Sequence, residues 1–231
     1  MPRPPRTRKW KKWKLYLVMI AAVAGVFAVN WIVQVVRKPA ELLFPVSGVL
    51  NKTPAETWRQ YEPIFREHST AIMTPELLAA LAQVEGAGNP VARTYWRWRL
   101  THQPFEVYRP ASSAVGMYQI TDATFAEARR LCIHDHAVSE DCWFNFLYTR
   151  TVPSHAVEMT AAFLDRAVQR RMKKGTLQQK QDLAALIHLC GESVRPGVRR
   201  CGEHDTQAYL AQVNAMKRVF TKLSSGKPEC S

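Results

Sequence analysis

One acidic side chain stands at the end of an apolar segment. Glu85 closes the stretch 75–85, whose apolar residues recur at the spacing of a helix face, and Gly86 and Gly88 follow it. A carboxyl group there is poorly solvated, and the partial negative charge of a helix C-terminus also disfavours its ionised form. A carboxylic acid that keeps its proton near neutral pH can donate it to a leaving oxygen and later act as a base. Without further context, however, a Glu at a helix end is most often a solvated surface residue.

Helices are the elements predicted to position this residue. Thr53-Pro54-Ala55-Glu56 is a capping box with Pro at the first helical position, so a helix is predicted over 54–68, with a kink or break at Pro63. Thr74-Pro75 repeats this start, and an amphipathic helix is predicted to carry Glu85. Further helices are predicted from Thr121, from Ser154 to Gly175, from Thr176 to Gly191 and over 205–223. With no strand series and no internal repeat, the soluble part is predicted to be all-α.

The N-terminus carries a basic segment and then an apolar run. Residues 1–14 hold seven Lys and Arg, and the apolar run 15–36 is 22 residues long. At about 1.5 Å per residue, such a run crosses a hydrocarbon core of roughly 30 Å. The charge bias predicts a single-pass inner-membrane anchor with its N-terminus in the cytoplasm and the domain in the periplasm. A cleaved signal peptide with a site near Ala22-Val23-Ala24 is the alternative.

Most of the net charge of +13 lies in the N-terminal residues 1–38, on either side of that apolar run. Residues 1–38 contain nine Lys and Arg and no acidic residue, and beyond them 23 basic residues face 19 acidic ones, a net charge of +4. The chain also shows no nucleic-acid-binding motif. We therefore expect no nucleic-acid partner.

Five cysteines fit an exported domain. Cys132 and Cys142 lie close in sequence, as do Cys190 and Cys201, so two short-range disulfides are the simplest pairing in an oxidising compartment, with Cys230 left free. The alternative is a metal site, whose ligands would be Cys132, His134, His136 and Cys142. Its spacing matches no common zinc pattern, so neither a metal nor a cofactor is expected.

Two motifs carry a resemblance to a known family. They are Leu78–Gly86 with the following Asn89-Pro90, and Ser113–Thr121. Together they resemble the soluble lytic transglycosylase (SLT) family of peptidoglycan-cleaving enzymes, which usually has Glu-Ser, Asn-Pro and then Gly-Ala-x-Gly-Leu-Met-Gln-Ile. Weaker similarities are Ala185–Gly191, to an Ala-Tyr-Asn-Ala-Gly element, and Asp205–Leu210, to a Glu-Thr-x-x-Tyr-Val helix start. The resemblance covers about residues 70–222 and implies a lysozyme-like helical fold.

The resemblance also implies roles for single residues. Glu85 matches the family's sole catalytic acid/base, and Gln119 matches its substrate-binding glutamine. The Gly116-Met117-Tyr118-Gln119 segment would line the sugar cleft, with Gly116 allowing close backbone approach to the glycan. The implied reaction cleaves the β-1,4 bond between N-acetylmuramic acid (MurNAc) and N-acetylglucosamine (GlcNAc) without water. Ordinary glycoside hydrolysis needs two carboxylates, and these motifs offer one.

This chain departs from the family pattern at four places. Gly86 replaces a Ser that could orient the carboxylate, and Ser113 stands where the family has Gly, beside the expected cleft. His188 and Leu189 replace Tyr and Asn, so His188 is either a cleft residue or a buried core histidine. The interval between Glu85 and Gln119 is also longer than usual. Its Tyr95 and Trp96 are either platforms for sugar rings or aromatic residues packed onto the domain.

These observations predict four segments and one main function. The segments are a basic tail (1–14), the anchor (15–36), a tether with a leading helix (37–69) and the catalytic domain (70–231). The leading hypothesis is a membrane-anchored lytic transglycosylase of a Gram-negative bacterium that forms 1,6-anhydro-MurNAc ends. A secretion, conjugation or pilus machine is a candidate partner. The alternatives are a catalytically weak peptidoglycan-binding subunit of an envelope machine, and a hydrolytic lysozyme in which Asp122 or Glu106 supplies a second carboxylate.

Overall fold

The structure is a computed structural model that describes residues 7–195 and 197–226. Cys230 and the first six residues of the basic tail lie outside the described residues. Within them there are eight α-helices: α1 Thr7–Arg37, α2 Phe44–Ser47, α3 Pro54–Glu67, α4 Pro75–Gly86, α5 Asp122–Ala128, α6 Pro153–Arg171, α7 Leu177–Cys190 and α8 Thr206–Ser224.

Short antiparallel hairpins join some of these helices. They pair β1 Trp96–Trp98 with β2 Tyr108–Pro110, β3 Cys132–His134 with β4 Ala137–Ser139, and β5 Arg200–Cys201 with β6 His204–Asp205. Single turns of 3-10 helix lie at Pro39–Leu43, Gly48–Leu50, Pro104–Glu106 and Asn145–Leu147. The sequence did not predict the hairpins, but they are too short to change the class. The predicted fold is confirmed as a lysozyme-like helical domain behind one N-terminal apolar helix.

Two compact units make up the chain. The first contains the residues up to Leu42 together with Tyr95–Ala111, and the second contains Leu43–Thr94 and everything from Ser112 onwards. This division differs from the predicted segments, because it groups the long interval after Glu85 with the N-terminal helix. It also places most of the predicted tether, from Leu43 on, in the second unit.

The first unit is α1 with the β1–β2 hairpin. Within Lys12–Arg37 of α1, an 18-residue window has a mean hydropathy of 2.2, and this helix is long and apolar enough to cross a membrane. In the hairpin, Trp96 faces Pro110 and Trp98 faces Tyr108 across the strand pair.

The core of the second unit surrounds α4. All six residues from Leu77 to Ala82 are buried, so this helix is buried on every side, whereas the sequence predicted an amphipathic one. Large side chains from the neighbouring helices fill the space around it: Phe65 of α3, Met159 and Leu164 of α6, Ile187 of α7 and Phe220 of α8. A central helix enclosed in this way holds its last turn, and therefore Glu85, in a fixed position.

Most predicted helix starts are confirmed. Thr53 and Glu56 form the capping box of α3, Thr176 and Gln179 form that of α7, and Thr121 and Asp205 cap α5 and α8. The prediction for Ser154 was wrong, because α6 begins at Pro153 with Val152 before it.

The predicted break at Pro63 was also wrong. Helix α3 continues to Glu67, because Tyr61 and Phe65 on either side of Pro63 are anchored in the core. Pro63 itself is exposed, so the carbonyl group that loses its partner there can bind water.

Both predicted disulfides are present. Cys132 bonds to Cys142 with the Cα atoms 5.8 Å apart, and Cys190 bonds to Cys201 with the Cα atoms 5.5 Å apart. The first closes the β3–β4 hairpin and the second ties the end of α7 to β5. Since Cys132 and Cys142 are bonded to each other, they are not available as thiolate ligands, which removes the alternative of a metal site there.

Candidate active site

Glu85 lies in the last turn of α4, and two side chains lie next to its carboxyl group. Its Oε1 atom accepts a hydrogen bond from the Tyr209 hydroxyl at 2.5 Å and lies 3.8 Å from Nε2 of His188. The side chains of Glu85 and His188 are only 18% and 10% exposed, respectively. Glu85 is therefore a partly enclosed and oriented carboxyl group, which excludes the solvated surface residue that its sequence position alone favours.

Tyr209 of α8 reaches the carboxyl group from 124 positions further along the chain. Burial, together with the adjacent Glu85 carboxyl group, raises the pKa of Tyr209 well above its ordinary value. The phenol therefore keeps its proton and acts as a hydrogen-bond donor to Glu85. The sequence placed Tyr209 only on the buried face of the last helix, although the similarity of Asp205–Leu210 to a family helix start was a signal for it.

An open cavity of about 650 Å³ extends in front of Glu85. Among the described residues that line it, Glu85 is the only acidic one and Arg93 the only basic one. Its other lining residues are Pro45, Ser47, Gly48, Asn51, Gln83, Val84, Gly86, Ala87, Asn89 and Ala92. Four of these residues, Pro45, Ser47, Gly48 and Asn51, belong to the predicted tether, which therefore forms part of the wall of this cavity.

A second cavity, of about 410 Å³, lies on the His188 side. Gln119, His188 and Leu189 all line it, as do two further acidic residues, Glu127 and Glu192. Because Glu85 lines the first cavity and His188 the second, the 3.8 Å contact between them marks where the two cavities approach each other. His188 is thus next to the carboxyl group as well as on a cavity wall, which fits a cleft residue rather than a core histidine.

The Gly116–Gln119 segment is largely internal. Met117 and Tyr118 have no exposed surface, and the Tyr118 hydroxyl donates to the Leu78 carbonyl oxygen at 3.1 Å. Burial raises the pKa of Tyr118 well above its ordinary value. This burial does not fit the expected contact of Met117 and Tyr118 with substrate. Both side chains instead pack the segment onto α4.

Gln119 is the member of this segment that reaches a cavity. Its backbone is in the left-handed region, with φ of 47°, and its Nε2 donates to the carbonyl oxygens of Gly116 at 2.9 Å and Ala92 at 3.2 Å. Gly116 also has a positive φ, of 82°, and a Cβ atom there would collide with the backbone oxygen of Arg150. The group that approaches Gly116 closely is therefore the backbone of Arg150, where the sequence predicted the glycan.

Arg150 holds the same segment from outside. Its Nη1 donates to the carbonyl oxygens of Ser113 at 2.9 Å and Ile120 at 3.0 Å, and lies 2.8 Å from the Asp122 carboxylate. Ser113 lines neither cavity, and its Oγ accepts a hydrogen bond from the Asp122 amide at 3.1 Å. Arg150 had no signal in the sequence, since it matches none of the motifs.

Close packing against Met117 explains why residue 86 is a glycine. A Cβ atom at this position would lie 2.8 Å from both the Cα and the carbonyl oxygen of Met117. The close approach of α4 to the Gly116–Gln119 segment therefore requires Gly here, where the related pattern has Ser. A Ser at this position could have oriented the Glu85 carboxyl group. In this chain the Tyr209 hydroxyl donates a hydrogen bond to that group instead.

Tyr95 and Trp96 belong to the first unit. Trp96 packs on Tyr108, with ring centroids 5.1 Å apart, and its Nε1 donates to the Glu41 carboxylate at 2.9 Å. Tyr95 is 71% exposed. The aromatic packing expected as the alternative for this interval thus accounts for Trp96.

The fold and this site together define a helical domain that presents one oriented carboxyl group in an open cleft. The family described as the transglycosylase SLT domain matches residues 62–180, which is more than half of the 231-residue chain, and the protein belongs to this family. The match includes Glu85 and Gln119 and ends before His188 and Tyr209. Neither a comparison with curated proteins nor one with solved structures found a match. Membership of the family supports a transglycosylase-type, peptidoglycan-cleaving function and implies binding to peptidoglycan.

Proposed function

We propose that this protein is a lytic transglycosylase, anchored in the inner membrane by α1, that cleaves the MurNAc–GlcNAc bond of peptidoglycan with Glu85 as its single acid/base. The observation that carries the proposal is the setting of Glu85. It is the only acidic residue among the described lining of its cavity, it accepts a hydrogen bond from the Tyr209 phenol, and the His188 imidazole lies beside it. The family supplies the substrate class.

The proposed reaction uses Glu85 twice. Protonated Glu85 first donates its proton to the glycosidic oxygen, and the bond from C1 of MurNAc to that oxygen breaks. The C6 hydroxyl oxygen of the same MurNAc then bonds to C1, and its proton passes to the Glu85 carboxylate. The products are a 1,6-anhydro-MurNAc end and a free GlcNAc 4-hydroxyl. No water is consumed, and the acid is restored for the next cycle.

Tyr209 and His188 keep Glu85 competent for both steps. Because the Tyr209 hydroxyl donates to Oε1, the transferable proton is placed on the other carboxyl oxygen. When that proton has left, the same hydrogen bond stabilises the carboxylate. His188 at 3.8 Å adds an ion pair only when its imidazole is protonated.

Gln119 and Arg93 are the proposed substrate contacts. The Gln119 amide nitrogen is engaged with backbone oxygens, so its carbonyl oxygen is the atom we assign to an N–H or O–H donor of the glycan. Arg93 lines the Glu85 cavity and carries the charge that would attract a carboxylate of a peptide stem or lactyl group.

Product analysis tests the reaction. The full-length protein in detergent is incubated with purified peptidoglycan beside Glu85→Gln, and the fragments are weighed by mass spectrometry. We expect anhydro-MurNAc ends from the wild type and a loss of about 10²–10⁴-fold in the variant. Reducing MurNAc ends would show hydrolysis instead, and retained binding without turnover by the wild type would show a binding subunit.

Hydrolysis would require a second carboxylate. Two candidates are engaged in ion pairs, and two others can be tested by mutation. Asp122 is paired with Arg150, and Glu106 of the first unit is paired with Arg37 and Arg109, so neither is an unengaged base. Glu127 and Glu192 line the second cavity. If reducing ends appear and disappear again in Glu127→Gln or Glu192→Gln, the single-carboxylate mechanism is wrong.

A further inference from the structure

The hairpin of the first unit is fastened to one side of α1 by polar contacts. Asn30 Nδ2 donates to the carbonyl oxygen of Tyr108, and Gln34 Nε2 donates to that of Phe105, both at 2.7 Å. One turn further on, Arg37 pairs with Glu106 at 2.9 Å. Asn30 and Gln34 are only 4% and 5% exposed. The two amides in the candidate membrane span therefore face the hairpin, which supplies their hydrogen-bond partners.

The position of these contacts along α1 indicates how deep in the membrane the hairpin lies. Trp13 and Trp31 are 18 residues apart, which corresponds to about 27 Å of helix, close to the thickness of a hydrocarbon core. Tryptophan is enriched at both membrane interfaces, so this pair marks the two edges of the span. Asn30, Gln34 and Arg37 then lie at the edge marked by Trp31, near the C-terminal end of α1, and the hairpin beside them lies at the same edge.

The hairpin has an aromatic face. Trp96 and Trp98 both pack on Tyr108 across the strand pair, and the Trp98 ring also meets Phe27 of α1 at 6.0 Å between centroids. Trp98 nevertheless remains 65% exposed, and Leu100, just beyond β1, is fully exposed. An indole that contacts both a membrane-spanning helix and its surroundings is typical of an interfacial anchor.

The opposite face of the hairpin is basic. Arg97 faces Arg109 across the strands, and Arg99 follows Trp98. Arg97 and Arg99 are both exposed. Aromatic residues that alternate with arginines place apolar groups on one side and cations on the other, a combination that suits the boundary between lipid tails and anionic headgroups.

We propose that the Tyr95–Ala111 hairpin is a lipid-binding element, which inserts Trp98 and Leu100 into the outer leaflet of the membrane that α1 spans and binds anionic headgroups through Arg97 and Arg99. This inference rests on the proposed anchoring by α1. It assigns the long interval after Glu85 to the membrane surface, for which the sequence left open either sugar platforms or aromatic packing on the domain. It also explains why an apolar span carries two amides on one side.

Depth-dependent fluorescence quenching tests this proposal. The full chain, carrying Cys230→Ser so that the introduced cysteine is the labelling site, is labelled with an environment-sensitive fluorophore at Leu100→Cys and reconstituted into vesicles with and without anionic phospholipid. The lipids carry a nitroxide either near the headgroup or near the chain end. Val26→Cys, on the exposed side of α1, reports whether the helix is inserted, and Lys173→Cys reports an exposed position of the second unit.

We expect the label at residue 100 to be quenched by the nitroxide near the headgroup, more strongly in anionic vesicles, and the label at residue 173 to be unquenched. The Arg97→Gln/Arg99→Gln pair should remove the dependence on anionic lipid. Quenching at residue 26 without quenching at residue 100 overturns the lipid site and leaves the anchor intact. Absence of quenching at both positions overturns both. Release of the residue 100 label from lipid by soluble glycan fragments would show a sugar surface and overturn the proposal.

Discussion

The hydrogen bond from Tyr209 to Glu85 is the contact on which the proposed acid/base role of Glu85 most depends. The phenol donates at 2.5 Å, and its raised pKa keeps it protonated through the physiological range. Its removal should leave the carboxyl group free to rotate and less stabilised when ionised.

We therefore predict that Tyr209→Phe lowers kcat on peptidoglycan by about 10–100-fold, the equivalent of about 1.5–3 kcal/mol for a hydrogen bond to a charged group. KM should change little, since Tyr209 lines neither cavity. Tyr61→Phe, at a buried tyrosine of α3, is the control and should keep wild-type kcat. Equal kcat in both variants would show that Tyr209 only packs α8 onto the core.

Gly86 supports a second prediction at the residue scale. Gly86→Ser restores the residue type usual in the related pattern, but its Cβ would lie 2.8 Å from backbone atoms of Met117. We expect a loss of about 1–3 kcal/mol in the free energy of unfolding and no gain in activity. Gly48→Ala is the matched control, because a Cβ atom at Gly48 meets nothing within 4 Å. Denaturant unfolding of both variants measures the difference, and a stable, more active Gly86→Ser would contradict the steric explanation.

At the scale of elements, the Ser113–Asp122 segment owes its shape to neighbours distant in sequence. It packs on α4 through Met117 and Tyr118, and Arg150 binds its two ends. The segment carries Gln119 into the second cavity, so its geometry determines where a glycan amide or hydroxyl would be bound.

We predict that Arg150→Met lowers kcat/KM by about tenfold or more, because two carbonyl oxygens lose a charged donor. Asp122→Asn removes the ion pair with Arg150 but leaves the two hydrogen bonds from Arg150 to backbone oxygens, here called the backbone clamp. Since the Asp122 side chain is 71% exposed, its loss should change activity less than twofold or so. Limited proteolysis should cleave within residues 113–122 faster in Arg150→Met than in the wild type. Equal rates of cleavage would sink the clamp interpretation.

Local signals in the sequence predicted the elements better than the contacts between them. Capping residues and apolar spacing predicted most helices, because those signals are local, and cysteine spacing gave the two disulfides. Glu85 stood out through motif resemblance. Tyr209 and Arg150 could not be connected to it, because their contacts join residues far apart in the chain and depend on how helices pack. The β1–β2 hairpin was missed, although apolar residues and arginines alternate over 96–100, because β2 (Tyr108–Pro110) is too short to show a pattern of its own.

For the molecule as a whole, buried tyrosines link stability to alkaline pH. Burial raises the pKa of Tyr118 and of Tyr209 well above the ordinary value of about 10. Above that value the unfolded chain releases protons that the folded protein retains, so the folded state loses stability as pH rises. Each such tyrosine contributes about 1.4 kcal/mol per pH unit in this window.

We therefore predict that the melting temperature falls steeply above about pH 10 and that Tyr118→Phe makes the fall shallower by the share of one proton. Below about pH 9, the difference between variant and wild type should not depend on pH, since no tyrosine titrates there in either state. Scanning calorimetry across the range, with tyrosinate absorbance recorded in parallel, measures both. An unchanged slope in the variant would contradict the burial of a protonated Tyr118.

The orientation of the chain is the remaining prediction at this scale. Seven basic residues precede the apolar run, whereas Arg37 and Lys38 follow it and pair with Glu106 and Glu41. Since Lys and Arg near a span are retained in the cytoplasm, we expect an N-in orientation, and the 22-residue apolar run favours an uncleaved anchor. Alkaline phosphatase fused after residue 231 should be active, green fluorescent protein at the same site dark, and mass spectrometry of the membrane fraction should find the intact N-terminus. A mature chain that starts near Gly25 would instead establish a signal peptide and would release the domain from the membrane surface on which the hairpin is proposed to act.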